Sequence, residues 1–168
     1  MKTIIDRHIS YGTVLAFIAL TALLNGCGSS PRIDRVTPIS TILAFGDSLT
    51  SGYGAKTNES YPSMLGEFLG CHVINAGVPG EVTSEGLERL PALLEENEPD
   101  LVILCFGGND MLQKRPKKSI KSNLREMIQL IKESGADIII IGVPQPGLLL
   151  TVPKFYKELA EEYTLPLD

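Results

Sequence analysis

From Thr41 onward the chain alternates short apolar runs with longer stretches in which apolar residues recur every three or four positions. Ile42-Leu43-Ala44-Phe45, closed by Gly46, predicts a strand buried on both faces. His72 to Ala76, ended by Gly77, predicts a second strand, and Leu101 to Phe106 a third. Asp137 to Val143 predicts a fourth, broken by Pro144 and Pro146. Between them a helix is expected over Tyr61 to Leu69, with Pro62 in its first turn. Leu87, Leu90 and Leu94 mark a second helix, capped by Thr83 or Ser84, and Pro91 inside it predicts a kink or a late start. Ile120, Leu124, Met127, Ile128 and Ile131 define one face of a third helix, stopped by Gly135. Lys154 to Tyr163 predicts a last helix, after which Leu165-Pro166-Leu167 reads as the opening of a fifth strand.

Strands joined by helical crossovers imply an α/β fold with a parallel sheet covered on both faces. In such sheets ligands gather at the carboxyl ends of the strands. Ser48, Gly77 to Gly80 and Asn109 all lie just past strand ends. The pattern therefore brings three chemistry-bearing segments to one edge. Neither internal repeats nor low-complexity tracts interrupt it.

The front end has a different character. Lys2 and Arg7 precede an apolar run of 13 residues, Gly12 to Leu24. A spanning helix needs about 20 residues, so the run reads as the core of a secretory signal. Leu24-Asn25-Gly26-Cys27 is similar to a bacterial lipobox, although Asn25 is unusual there, and a plain signal peptide is the alternative. On the lipobox reading residues 1–26 are removed and Cys27 is lipidated. Residues 27–40, rich in Ser, Pro and Arg, form a tether, and 41–168 form the domain. Several acyl chains on one cysteine would hold the protein stably at the bacterial cell envelope. Gly28 stands where an aspartate would signal inner-membrane retention, which favours the outer membrane if the host has two.

Composition adds limits. The hydrophobic fraction of 43% suffices for a core. A net charge of −5, falling to −6 once Lys2, Arg7 and Asp6 leave with the signal, gives nucleic acid no basic field to bind. Cys71 and Cys105 are expected on strands two apart, roughly 9–10 Å, whereas a disulfide needs Cα atoms within about 7 Å, so buried free thiols are expected. No clustering of His and Cys suggests a metal.

Three segments carry candidate chemistry. Ser48 sits where a strand meets a loop and is either a nucleophile or a helix cap. Gly80 either brings a backbone N–H to a ligand or is an ordinary turn glycine. Asn109, after Gly107-Gly108, either aims an amide at a developing oxyanion or closes a turn. Lys114, Arg115, Lys117 and Lys118 form either a solvated loop or a basic rim that attracts anionic substrates.

Taken together, Gly46-Asp47-Ser48-Leu49, Asn75-Ala76 with Gly80, Gly86-Leu87-x-Arg89-Leu90-Pro91 and Gly107-Gly108-Asn109-Asp110 resemble the blocks of the SGNH (GDSL) hydrolases. The resemblance is nearest to the bacterial thioesterase, lysophospholipase and arylesterase group. It implies a three-layer α/β/α sandwich with flavodoxin-like strand order 2-1-3-4-5, no cofactor, and cleavage of small-molecule acyl esters, thioesters or lysophospholipids. It also implies that Ser48 is the nucleophile. The Ser48 N–H, the Gly80 N–H and the Asn109 amide would form the oxyanion hole.

One block of the resemblance has no counterpart. The family's Asp-x-x-His segment, which supplies the base, is not among these 168 residues, whose two histidines are His8 and His72. His72 opens the second strand, roughly 15 Å from Ser48 at the wrong end of the sheet. His8 leaves with the signal. The expectation is therefore a hydrolase domain stopped within its fifth strand and inactive alone. The alternatives are a non-catalytic lipoprotein or binding module, and one half of a split enzyme completed by a second chain. Ile138 to Ile141 would then be a poorly protected edge with one face bare, inviting aggregation.

Overall fold

Four parallel strands build the sheet in the order β2-β1-β3-β4: β1 (Thr41–Gly46), β2 (His72–Gly77), β3 (Leu101–Cys105) and β4 (Asp137–Ile140). The computed structural model describes residues 31–168 as one unit, so the apolar run, the lipobox with Cys27 and His8 lie outside the described residues. The register is unbroken, with Thr41 opposite His72, Gly46 opposite Gly77, Ile42 opposite Leu101 and Leu101 opposite Asp137. All four carboxyl ends therefore open on one edge.

Alternation along the strands divides the core in two. Leu43, Phe45, Val102, Leu104, Ile138 and Ile140 pack under three helices: α3 (Thr83–Asn97), α5 (Lys117–Ser134) and α6 (Lys154–Tyr163). Ile42, Leu101 and Ile103 face the other way, against Tyr61 and Leu65 of α2 (Tyr61–Leu69) and against Ile33 and Val36. Helices thus cover both faces of a parallel sheet, as the crossover pattern requires. The five apolar positions expected on α5 are all buried, and Gly135 ends that helix in the left-handed conformation.

Several details depart from expectation. The N-cap of α3 is Val82 rather than Thr83 or Ser84; the Val82 N–H donates to the Glu85 carboxylate (3.1 Å). Thr83 is drawn inside the helix because its hydroxyl is used elsewhere, on Asp110. The helix neither starts late nor stops at Pro91 but runs through it to Asn97. Pro91 merely leaves the Leu87 carbonyl without its helical donor. Strands β3 and β4 end one and three residues earlier than expected. Two one-turn helices, α1 (Ser48–Ser51) and α4 (Gly108–Leu112), follow the glycines that close β1 and β3. They are too short to show a period.

The expected fifth strand is present only as a single parallel bridge, Leu167 to Ile140. Around it Ile140 N–H donates to the Pro166 carbonyl (3.0 Å), Asp168 N–H to the Ile140 carbonyl (3.0 Å), and Gly142 N–H to the Asp168 carbonyl (2.8 Å). The outer edge of β4 is therefore partly paired. Its second face is less bare than expected too, since Ile139 and Ile141 pack in the same cluster as Ile33 and Val36. The Asp34 N–H also donates to Asp137 (2.6 Å), so residues 33–36 lie along the sheet. Cys71 and Cys105 are both free thiols, Cys105 buried and Cys71 half-buried. Burial, helped by the nearby Asp47 carboxylate, pushes the Cys105 thiol up to about 12.

Candidate active site

The turn out of β1 sets the position of Ser48. A Cβ on Gly46 would stand 2.1 Å from Thr50 Oγ1 and 2.5 Å from the Cys105 carbonyl oxygen, so only glycine lets α1 fold this tightly over β3. Asp47 caps α1, its carboxylate accepting from the Leu49 N–H (3.0 Å). The helix-cap role weighed for Ser48 thus belongs to its neighbour. Ser48 is half-buried, and its hydroxyl makes no hydrogen bond with another described residue. Its carbonyl is the group that is tied down, accepting from the Tyr53 N–H (3.1 Å) and the Ser51 hydroxyl (3.0 Å).

The loop after β2 reaches the same corner. Val78 N–H donates to the Gly46 carbonyl (3.0 Å), and Glu81 N–H closes a turn on the Val78 carbonyl (3.2 Å). At the apex, Gly80 is exposed with φ +84°, and its N–H has no acceptor among the described residues. The third segment enters through Gly107, whose φ of +114° is strained for any other residue. Asn109 follows as the second residue of α4, and its Nδ2 donates to the Glu81 carbonyl (2.9 Å). An amide carries two N–H groups, so one holds Asn109 against the Gly80 loop and the other has no acceptor among the described residues. Beside it Asp110 is buried, accepting from the Thr83 N–H (2.8 Å) and the Thr83 hydroxyl (2.7 Å).

Sequence reasoning missed the pair that locks these segments together. The Arg89 guanidinium meets Glu81 two-pronged, Nε to Oε1 and Nη2 to Oε2, each at 2.6 Å. The same Nη2 donates to the Ala76 carbonyl (2.7 Å), and the group stacks 4.5 Å over the Phe45 ring. Arg89 lay inside a quoted motif, but its partner Glu81 carries no spacing signal eight residues upstream.

Burial raises the Asp47 pKa, and the carboxylates of Asp110 and Glu81 add to the rise against the Leu49 N–H, which lowers it. A folded-state pKa above the unfolded value means that the folded chain binds the proton more tightly. Asp47 therefore favours folding most below its unfolded pKa and loses that contribution as pH rises through its raised value. Asn at this position keeps an acceptor for the Leu49 N–H without the charge. Asp47→Asn should accordingly gain thermal stability relative to the parent as pH climbs from 3.8 towards neutrality. A melting-temperature difference that stays constant with pH would contradict the assignment.

The structure brings Ser48, Gly80 and Asn109 to one edge. Lys114 and Arg115 follow α4 at the rim, with Arg115 donating to the Ser84 hydroxyl (3.1 Å). His72 pairs with Thr41 at the opposite edge, as expected. Cys27 lies outside the described residues.

Residues 44–165 match the model of the GDSL-like lipase/acylhydrolase family. The chain belongs to this family. Gly46-Asp47-Ser48-Leu49 are the four residues of the GDSL name. Over 110 residues the chain is 44% identical to the arylesterase of Vibrio mimicus, covering 62% of this chain and 55% of that protein. It is 30% identical over 140 residues to thioesterase 1/protease 1/lysophospholipase L1 of Escherichia coli K12, covering 79% of this chain and 67% of the relative. The chain thus spans about half the length of the first and two thirds of the second. The crystal structure of AlinE4, an SGNH-hydrolase family esterase, superposes with a TM-score of 0.69 at 33% identity, covering 79% of this chain and 77% of that one.

Proposed function

We propose that this GDSL-like chain carries the nucleophile and oxyanion hole of a serine ester hydrolase acting on acyl esters, thioesters or lysophospholipids. The observation that carries the reading is a serine hydroxyl without a hydrogen-bond partner among the described residues, at the same carboxyl edge of the sheet as an asparagine amide held in place by the Glu81 carbonyl. In the reaction the Ser48 oxygen bonds to the acyl carbon, and the carbonyl electron pair moves onto oxygen. The N–H groups of Ser48 and Gly80 and the Asn109 amide receive that charge. Collapse expels the alcohol or thiol, and water then releases the acid from the acyl-serine.

Proton removal from Ser48 needs a base within hydrogen-bond reach or one water away. His72, the one histidine among the described residues, stands at the other edge and is not that base. The front end adds a proposal of its own: residues 1–26 as signal and Cys27 as lipidated anchor would hold the domain at the cell envelope, with the expected 27–40 tether shortened to the residues ahead of Ile33, because Ile33 to Val36 pack on the sheet.

The test joins the full chain to a C-terminal segment bearing the Asp-x-x-His block of a family member and measures p-nitrophenyl ester turnover. Ser48→Ala should abolish it, and Asn109→Ala should lower kcat by about 10²–10³. Turnover indifferent to Ser48→Ala would refute the reading.

A further inference from the structure

The segment between β4 and α6 presents apolar surface that the fold leaves in water. Its base is fixed. Gln145 and Thr151 pair antiparallel, Gln145 N–H donating to the Thr151 carbonyl (3.0 Å) and Nε2 to the Thr151 hydroxyl (3.2 Å). Val143 is buried, and Val152 Cγ1 sits 2.7 Å from where a Gly142 Cβ would stand. Between these anchors the chain bends through Leu148, Leu149 and Leu150, which are 102%, 76% and 77% exposed. Leu112 on neighbouring α4 is 65% exposed. Scattered exposed leucines are ordinary, but three in succession on a pinned loop mark an interaction surface.

Charge decides what that surface meets. Two grooves flank the loop. One, of about 330 Å³, is lined by Lys114, Arg115 and Lys117 with Leu112 and Pro146. The other, of about 630 Å³, is lined by Lys117, Lys118, Lys121 and Lys154 with Val152. Glu158, paired with Lys121, is the one carboxylate lining either groove. So a chain of net charge −5 gathers six cations around one leucine tip. Two copies meeting tip to tip would oppose like charges, which disfavours self-association. A tip of leucines projecting from a cationic collar matches an anionic lipid interface, where acyl chains take the apolar part and headgroups the charges.

We propose that residues 144–152 dock this protein onto anionic lipid surfaces, the leucines entering the acyl region while the lysine and arginine collar holds the headgroups. The loop leaves the same sheet edge as Ser48: Val143 Cγ1 lies 3.3 Å, and Asp47 Oδ2 3.4 Å, from where a Gly108 Cβ would stand. Docking would thus turn the candidate active site towards lipid. The proposal rests on the hydrolase reading only for that purpose, because binding itself requires no catalysis.

The chain has no tryptophan, which makes a single introduced indole a clean reporter. In the full chain carrying Cys27→Ser, to remove any acyl anchor, Leu149→Trp is mixed with vesicles of phosphatidylcholine and phosphatidylglycerol. The emission should shift to the blue and be quenched by brominated acyl chains. Replacing Lys114, Lys117, Lys118 and Lys154 together by Gln should weaken the apparent affinity at least about tenfold, as should raised salt. Phe68→Trp, at the end of α2 next to the start of β2, should not shift, although Phe68 is 86% exposed. An unshifted Leu149→Trp probe would overturn the proposal, as would an equal shift on neutral vesicles or one that grows with protein concentration and no lipid. Ester turnover plays no part in the readout, so docking and hydrolysis fail independently.

Discussion

Expressed with nothing added, the 168-residue polypeptide should hydrolyse short acyl esters about 10⁴–10⁶-fold more slowly than the same chain given a histidine base within reach of Ser48. A serine hydroxyl is a weak nucleophile until a neighbour takes its proton. Asp47, the nearest carboxylate in sequence, is committed to capping α1 through the Leu49 N–H and makes no hydrogen bond with the Ser48 hydroxyl, so it does not serve as that neighbour. His72 sits beside Thr41, five strand residues before Gly46, which at about 3.3 Å per residue places it beyond any single water bridge. The oxyanion donors remain in place without the base, so a small rate above water is expected, and Asn109→Ala should reduce it further. Steady-state turnover of a p-nitrophenyl ester by the two forms decides the matter. Comparable rates from both would mean that a group other than histidine activates Ser48.

The sheet was legible because its two central strands, β1 and β3, are buried on both faces, although the edge strands β2 and β4 are only partly so. Runs such as Ile42 to Phe45 and Leu101 to Cys105 admit no other reading at that length, and the amphipathic face of α5 fixed the layer above them. The convergence of Ser48, Gly80 and Asn109 followed from topology alone, since parallel strands share one carboxyl edge. What stayed hidden depends on side chains acting across the chain. Thr83 and Ser84 both have the chemistry of a cap, yet Asp110, 27 residues after Thr83, takes the Thr83 hydroxyl and N–H. Ser48 could equally have capped α1, and only the Asp47 contact to the Leu49 N–H settles which residue does. The leucine tip was missed for another reason. A run of three leucines in a sequence suggests core, and only the bend between Gln145 and Thr151 shows that it points outward.

Arg89→Met should destabilise the fold by about 3–5 kcal/mol, the usual effect of leaving one member of a buried ion pair without its partner. The side chain of Glu81 is only 6% exposed, against 26% for Arg89. Loss of the guanidinium leaves a carboxylate that water reaches poorly, beside the buried carboxylates of Asp47 and Asp110. It also takes away the donor to the Ala76 carbonyl and the cation over the Phe45 ring. The reverse change is milder. Glu81→Gln keeps an acceptor for Arg89, whose charge still reaches solvent and the Ala76 carbonyl. Its effect should fall well below that of Arg89→Met, and the double variant should recover part of the loss. Domains of this size have a net stability of about 5–15 kcal/mol, so Arg89→Met alone would remove a large share of it. Urea unfolding of the three variants measures the asymmetry directly. Equal effects from the two single changes, or a loss under 1 kcal/mol for Arg89→Met, would show that Glu81 is better solvated than its burial indicates. The pair would then be an accessory to the Gly80 loop rather than its anchor, and Asn109, held through the Glu81 carbonyl, would depend on the backbone turn at Val78 for its position.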